Sequence, residues 1–173
     1  MTTWKTDGDW HYDYFSPAEA EETFSGFTSL VRLWRSKSKS PPPSWSDFEF
    51  LDFRDWWGWI SVYDAVDGQP LNFDVRLWGT EVVEVTGHEL TGQRLSPENL
   101  PDRSDPTGVS LNHIKFARFI LDEGFMGVTS EPYREAWGPG KLYTEILLPL
   151  SSDGKNNDKI LFAGRIIEPS KQM

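Results

Sequence analysis

Two stretches decide the architecture: Lys141-Leu142-Tyr143-Thr144-Glu145-Ile146-Leu147-Leu148-Pro149-Leu150, and Asp158-Lys159-Ile160-Leu161-Phe162-Ala163-Gly164-Arg165-Ile166-Ile167-Glu168. Both have the length and composition of strands, and Ser151-Ser152-Asp153-Gly154 supplies turn chemistry between them. Ile146, Leu147 and Leu148 are consecutive apolar residues, as are Ile160, Leu161 and Phe162. Neighbouring strand residues point to opposite faces, so such runs call for a sheet covered on both sides. One cover is a central helix. The other must come from an N-terminal helix, a partner subunit, or both.

Upstream, Phe125 to about Trp137 reads as a third strand, closed by Gly138-Pro139-Gly140. Asp105-Pro106 opens a long helix that Gly124 ends. Its inner stripe is Val109, His113, Phe116, Ala117 and Ile120, with Asn112, Lys115, Arg118 and Asp122 facing away. Gly58 to Ala65 and Asn72 to Gly79 form a hairpin around Asp67-Gly68. In the second strand Phe73, Val75 and Leu77 alternate with Asp74 and Arg76, the period-two mark of a half-buried strand. Gly79-Thr80 starts a short helix through Val85.

Residues 1–15 read as a flexible N-terminal arm without a period. Residues 16–43 read as an amphipathic covering helix: Ser16 as N-cap, Pro17 at the first helical position, Glu19 completing a capping box, and Pro41-Pro42-Pro43 as the stop. Its apolar stripe contains Phe24, Phe27, Val31 and Trp34, offered either to the chain's own sheet or to a homodimer interface. From Ser44 to Trp57 acids alternate with aromatics, as in a wrap that lays rings on the core and leaves carboxylates in water. The expected domain spans residues 44–168, with 169–173 a tail. The fold expected is α+β: a five-stranded antiparallel sheet, helices across one face, and the N-terminal helix packed outside.

Composition narrows the chemistry. The 173 residues include no cysteine, which removes disulfides, thiolate metal sites and thiol nucleophiles. A formal charge of −10 disfavours nucleic acid and anionic membrane as partners. No apolar run approaches the roughly 20 residues of a membrane helix, and the start lacks the basic-then-apolar order of a signal peptide. The cytoplasm is the expected location.

At this level of detail the chain resembles a known group. Leu33-Trp34-Arg35-Ser36-Lys37, Arg76-Leu77-Trp78-Gly79-Thr80-Glu81-Val82-Val83-Glu84, Gly87-His88-Glu89-Leu90-Thr91-Gly92 and Leu148-Pro149-Leu150-Ser151-Ser152-Asp153-Gly154 resemble the fifth PAS family, mostly short stand-alone PAS proteins of alphaproteobacteria. The likeness runs from about Leu30 to Glu168. The family's Pro-Ser-Arg-Asp-like segment is here Pro43-Ser44-Trp45-Ser46-Asp47, without its basic residue. The resemblance implies a PAS-like, non-catalytic sensory or regulatory module. It would bind a small ligand, a signalling partner protein, or both, and relay a conformational change. It assigns no chemical role to any residue. A pure interaction adaptor without ligand is an alternative.

Among single residues His113 stands out, a titratable group on an apolar stripe. A structural, hydrogen-bonded imidazole ranks above a polar anchor for a ligand, and that above haem ligation. Trp78, His113, Phe116 and Ile120 are the ligand-pocket candidates, with the cofactor unknown. A cysteinyl-flavin adduct is excluded for lack of a thiol. No G-x-G-x-x-G or P-loop pattern occurs, and His11 and His88 show no zinc spacing. The enzymatic alternative is an isomerase- or hydrolase-like cone using Asp52 and Asp55 beside Trp56-Trp57, one carboxyl raised by its aromatic wall.

Overall fold

The computed structural model describes residues 1–37, 42–100, 110–132 and 141–167. Among the described residues eight strands form one antiparallel sheet: β1 (Thr2–Asp7), β2 (Trp10–Phe15), β3 (Ile60–Val66), β4 (Gln69–Leu77), β5 (Arg94–Leu95), β6 (Met126–Pro132), β7 (Leu142–Leu150) and β8 (Lys159–Ile167). They lie in the order β1-β2-β6-β7-β8-β3-β4-β5. The α-helices are α1 (Thr28–Ser36), α2 (Thr80–Thr86) and α3 (Leu111–Glu123).

The expectation of a five-stranded PAS-like sheet is therefore corrected. The five strands foreseen are present and adjacent, but β1 and β2 extend one edge and β5 the other. The flexible arm expected at residues 1–15 is a hairpin. Trp10, Tyr12 and Tyr14 alternate with His11 and Asp13, and Gly8 takes the left-handed turn conformation at φ 61°. Strand β2 then pairs with β6 from His11–Ser130 to Phe15–Met126. The alternation and the Asp7-Gly8 turn are the same signals that identify the β3–β4 hairpin at Asp67-Gly68.

The covering helix is also shorter than residues 16–43 suggest. Ser16 Oγ accepts from Ala18 N at 3.2 Å, but only a turn follows, and then a 3-10 turn over Glu21–Thr23. Gly26 at φ 84° cannot continue a right-handed helix, so α1 begins at Thr28. Phe24, Phe27, Val31 and Trp34 are all buried within the chain's own core. Trp34 Nε1 donates to the Pro149 carbonyl at 2.8 Å, fastening α1 to β7. Segment 44–57 contains two 3-10 helices, Trp45–Asp47 and Phe50–Trp56, capped through Ser44 with Asp47 and Glu49 with Asp52.

Two cores result, one per face of the sheet, as the apolar runs of β7 and β8 require. Ile146, Leu148, Leu150, Leu161 and Ala163 meet α1 and the Phe53–Trp56 turn. Leu147, Ile160 and Phe162 meet α3. Helix α3 lies close because β6 carries Gly127. A β-carbon there would stand 2.8 Å from the Phe116 ring and 3.0 Å from Ile120. Ser110 caps α3, accepting from His113 N at 3.3 Å, and Gly124 ends it at φ 67°. The start expected at Asp105-Pro106, with Val109, lies outside the described residues. So do Pro41, the end of the third strand at Trp137, Gly138-Pro139-Gly140, Glu168 and the tail at 169–173.

Candidate functional site

Strand β7 carries Tyr143, Glu145 and Leu147 toward α3, and in this apolar layer Glu145 is only 7% exposed. A carboxylate so placed must be hydrogen-bonded or it destabilises the fold. Tyr143 Oη donates to its Oε1 at 2.8 Å, and Thr129 Oγ1, opposite on β6, donates to its Oε2 at 3.3 Å. The phenol reaches the carboxylate because β8 offers Gly164 opposite Glu145. A β-carbon there would be 2.4 Å from the Tyr143 oxygen.

Helix α3 brings His113 over this cluster, with Nδ1 at 3.8 Å from Glu145 Oε2. The imidazole stacks on Phe162, centroids 5.4 Å apart. Phe162 packs on Tyr63 at 4.3 Å, and Tyr63 stacks on Trp78 at 6.1 Å and 12°. The four elements α3, β8, β3 and the end of β4 thus join one continuous aromatic and polar layer.

Electrostatics follow from the burial. Desolvation holds the His113 pKa below its ordinary value, against the opposing pull of Glu145, so the ring is neutral at pH 7. Desolvation also pushes the Tyr63 and Tyr143 phenols well above their ordinary range, with the Glu145 charge adding to it. Tyr12, at the hairpin side of the cluster, is pushed up to about 12 by burial, although a hydrogen bond with Ser110 works the other way. Among the described residues, Tyr63 Oη, Trp78 Nε1 and His113 Nδ1 are buried with no hydrogen-bond partner. Three such atoms in one layer are unusual, since buried polar atoms are nearly always paired.

The four predicted pocket residues all fall in this core, in two roles. Trp78 and His113 border the polar layer. Phe116 and Ile120 lie against Gly127 and do packing work, with Trp4 of the hairpin beside Phe116 at 5.3 Å. Tyr63, Thr129, Tyr143 and Glu145 were not foreseen. The signal available was a Tyr-x-Glu pair facing one side of a strand otherwise apolar on both. Haem ligation by His113 gains no support. The ring is packed on Phe162 and 2% exposed, and an open cleft lies elsewhere.

That cleft, of about 630 Å³, sits at one end of the sheet between the β3–β4 turn, Arg118 and Asp122 of α3, and Lys155 to Asp158. The acids of the enzymatic alternative do not share a buried site. Asp52 is held below its usual range, first by its hydrogen bond with Lys37 and then by that from Glu49 N. Asp55 is exposed, with Arg54 3.9 Å away. Arg76 Nε donates to Asp64 Oδ2. Among the described residues no group of His, Asp and Glu is placed to hold a metal, and no helix is long and apolar enough to cross a membrane.

Comparison with protein-family models gives no match, and a search of curated proteins finds no relative.

Proposed function

We propose that the protein is a sensory or regulatory module that holds a small ligand between α3 and the sheet and relays its presence to a partner protein. The observation that carries this reading is that Tyr63 Oη, Trp78 Nε1 and His113 Nδ1, each buried and unpaired, belong to rings of one aromatic layer. An unpaired buried polar atom costs about 1–3 kcal/mol, and a ligand that pairs all three recovers that cost. The indole can only donate, so a ligand must offer at least one acceptor. Glu145 beside His113 disfavours an anion, and the apolar layer around it disfavours any ion left without full pairing, so neutral, planar molecules are the matching class.

The relay has a physical route. Strand β2 belongs to both cores, Tyr12 facing α3 and Phe15 packing on Phe24 at 5.0 Å. A ligand that favours one placement of α3 shifts the balance only by its differential affinity for the two placements. The resemblance of the Arg76–Glu84 and Leu148–Gly154 segments to the fifth PAS family agrees with a sensory role.

The test is a thermal-shift screen with neutral heteroaromatic fragments on the wild type and on a Tyr63→Phe, Trp78→Phe, His113→Phe variant. The reading expects hits that raise the wild-type melting temperature and lose their effect in the variant. Hits of equal size in both proteins, or none in the wild type, contradict it.

A further inference from the structure

The exposed apolar residues of segment 44–57 are not explained by a ligand site inside the core. Phe50, Leu51 and Trp57 are 75%, 66% and 48% exposed, although the same 3-10 helix buries Phe53 and Trp56. We propose that these three side chains dock a basic amphipathic helix of a partner protein. This deepens the relay reading by naming its output, and takes its signalling meaning from that reading.

The patch is rigid before anything binds. The Phe50 and Trp57 rings stack at 5.0 Å and 19°, and Trp57 Nε1 donates to the Phe50 carbonyl at 3.4 Å. Two reciprocal caps, Ser44 with Asp47 and Glu49 with Asp52, fix both turns, and Lys37 ties Asp52 to the end of α1. Beneath, Trp56 stacks on Phe27 at 5.8 Å, with the Arg165 guanidinium 3.9 Å from the Trp56 ring. Side chains already ordered lose little freedom on association, and tryptophan in such a setting carries much of an interface's affinity.

Charge selects the occupant. Asp47, Glu49, Asp52 and Asp55 lie in this segment, Lys37 pairs with Asp52 and Arg54 stands 3.9 Å from Asp55, and with Arg165 beneath Trp56 the acids still outnumber these cations. A cationic partner is favoured. A second copy of this chain would bring the same carboxylates, and an anionic lipid surface would be repelled. Backbone groups of a 3-10 helix bond internally, so an added strand has no edge to pair with here. The stacked Phe50 and Trp57 rings, with Leu51 next along the chain, suit the i, i+3, i+4 side chains of a helix instead.

The test is selection from a phage-displayed library of randomised 16-residue peptides on the full chain, counter-selected on a Phe50→Ser, Trp57→Ala variant. Circular dichroism and melting temperature first verify that this variant is folded; a Leu51→Ser, Trp57→Ala pair replaces it if not. The proposal expects enrichment of Lys or Arg with Leu or Phe at helical spacing. It expects binding at least tenfold weaker to the variant and weaker as salt screens the charges. Enriched acidic or patternless peptides, equal binding to both proteins, or no enrichment overturns it. So does Trp57-dependent self-association in sedimentation, or Trp57-dependent binding to phosphatidylcholine vesicles. None of these results bears on the fragment screen, so the two proposals fail separately.

Discussion

Gly164 lies so close beneath Tyr143 that a β-carbon at 164 would stand 2.4 Å from the phenolic oxygen and 2.9 Å from the ring. The glycine is what allows the phenol to donate to Glu145 from the same face of β7. Gly164→Ala therefore moves the ring and weakens the carboxylate's strongest hydrogen bond. A loss of about 1–3 kcal/mol is expected, the range for overpacking or for a buried acceptor left short of a donor. Urea unfolding measures it. A Gly164→Ala, Tyr143→Phe protein should lose less than the sum of the two single variants, because the nearest obstacle, the oxygen, is gone while the ring atoms at 2.9 Å remain.

Gly79 makes a different demand. Its φ of −65° suits any residue, but a β-carbon would fall 2.2 Å from the Gly58 carbonyl oxygen and 2.7 Å from that of Ile60. Both obstacles are backbone. Gly79→Ala should cost at least about 2 kcal/mol, at the upper part of the overpacking range. Gly68→Ala, with nothing within 4 Å but a φ of 68°, should cost only the smaller conformational strain. The difference in urea midpoints between the two variants checks the assignment.

The stripe of Phe24, Phe27, Val31 and Trp34 is core, not interface. Val31 is fully buried against the chain's own sheet. Val31→Glu should therefore collapse the melting transition, since an unpaired buried carboxylate costs several kcal/mol. It should not convert a dimer into a folded monomer. Sedimentation and thermal unfolding of the variant distinguish these outcomes.

His113 and the tyrosines give stability a defined pH profile. The folded His113 pKa lies below the ordinary 6.5, so the unfolded chain binds the proton more readily. Its contribution is complete above about pH 6.5 and is lost as pH falls through the folded value. At the other end Tyr63 and Tyr143 are raised, so the unfolded chain deprotonates first and stability falls as pH climbs past 10. Urea midpoints from pH 5 to 11, about the span these groups titrate over, should be flatter on the acid side in His113→Gln. On the alkaline side they should be flatter in Tyr63→Phe.

The sheet's centre was legible because Ile146-Leu147-Leu148 and Ile160-Leu161-Phe162 leave no other way to bury both faces. The edges were not. Asp7-Gly8 sits among tryptophans and charges in a short segment, and strand pairing with β6 is a long-range event that local composition does not announce. The capping signal at Ser16-Pro17-Ala18-Glu19 misled because one left-handed residue, Gly26, overrides it. His113 could be singled out as a polar residue on an apolar stripe. Glu145 could not, since its partner Tyr143 is two residues away and its other neighbours, Thr129 and His113, come from β6 and α3. The Tyr-x-Glu spacing on β7 is the one local trace of a polar cluster assembled across three elements.

Native mass spectrometry of the freshly purified chain, with the Tyr63→Phe, Trp78→Phe, His113→Phe variant beside it, tests the central claim most directly. The account predicts a mass excess of a small neutral molecule on the wild type, released on unfolding and missing from the folded variant. A wild-type mass equal to that of its bare chain, both as purified and after incubation with every fragment of the screen, would contradict it.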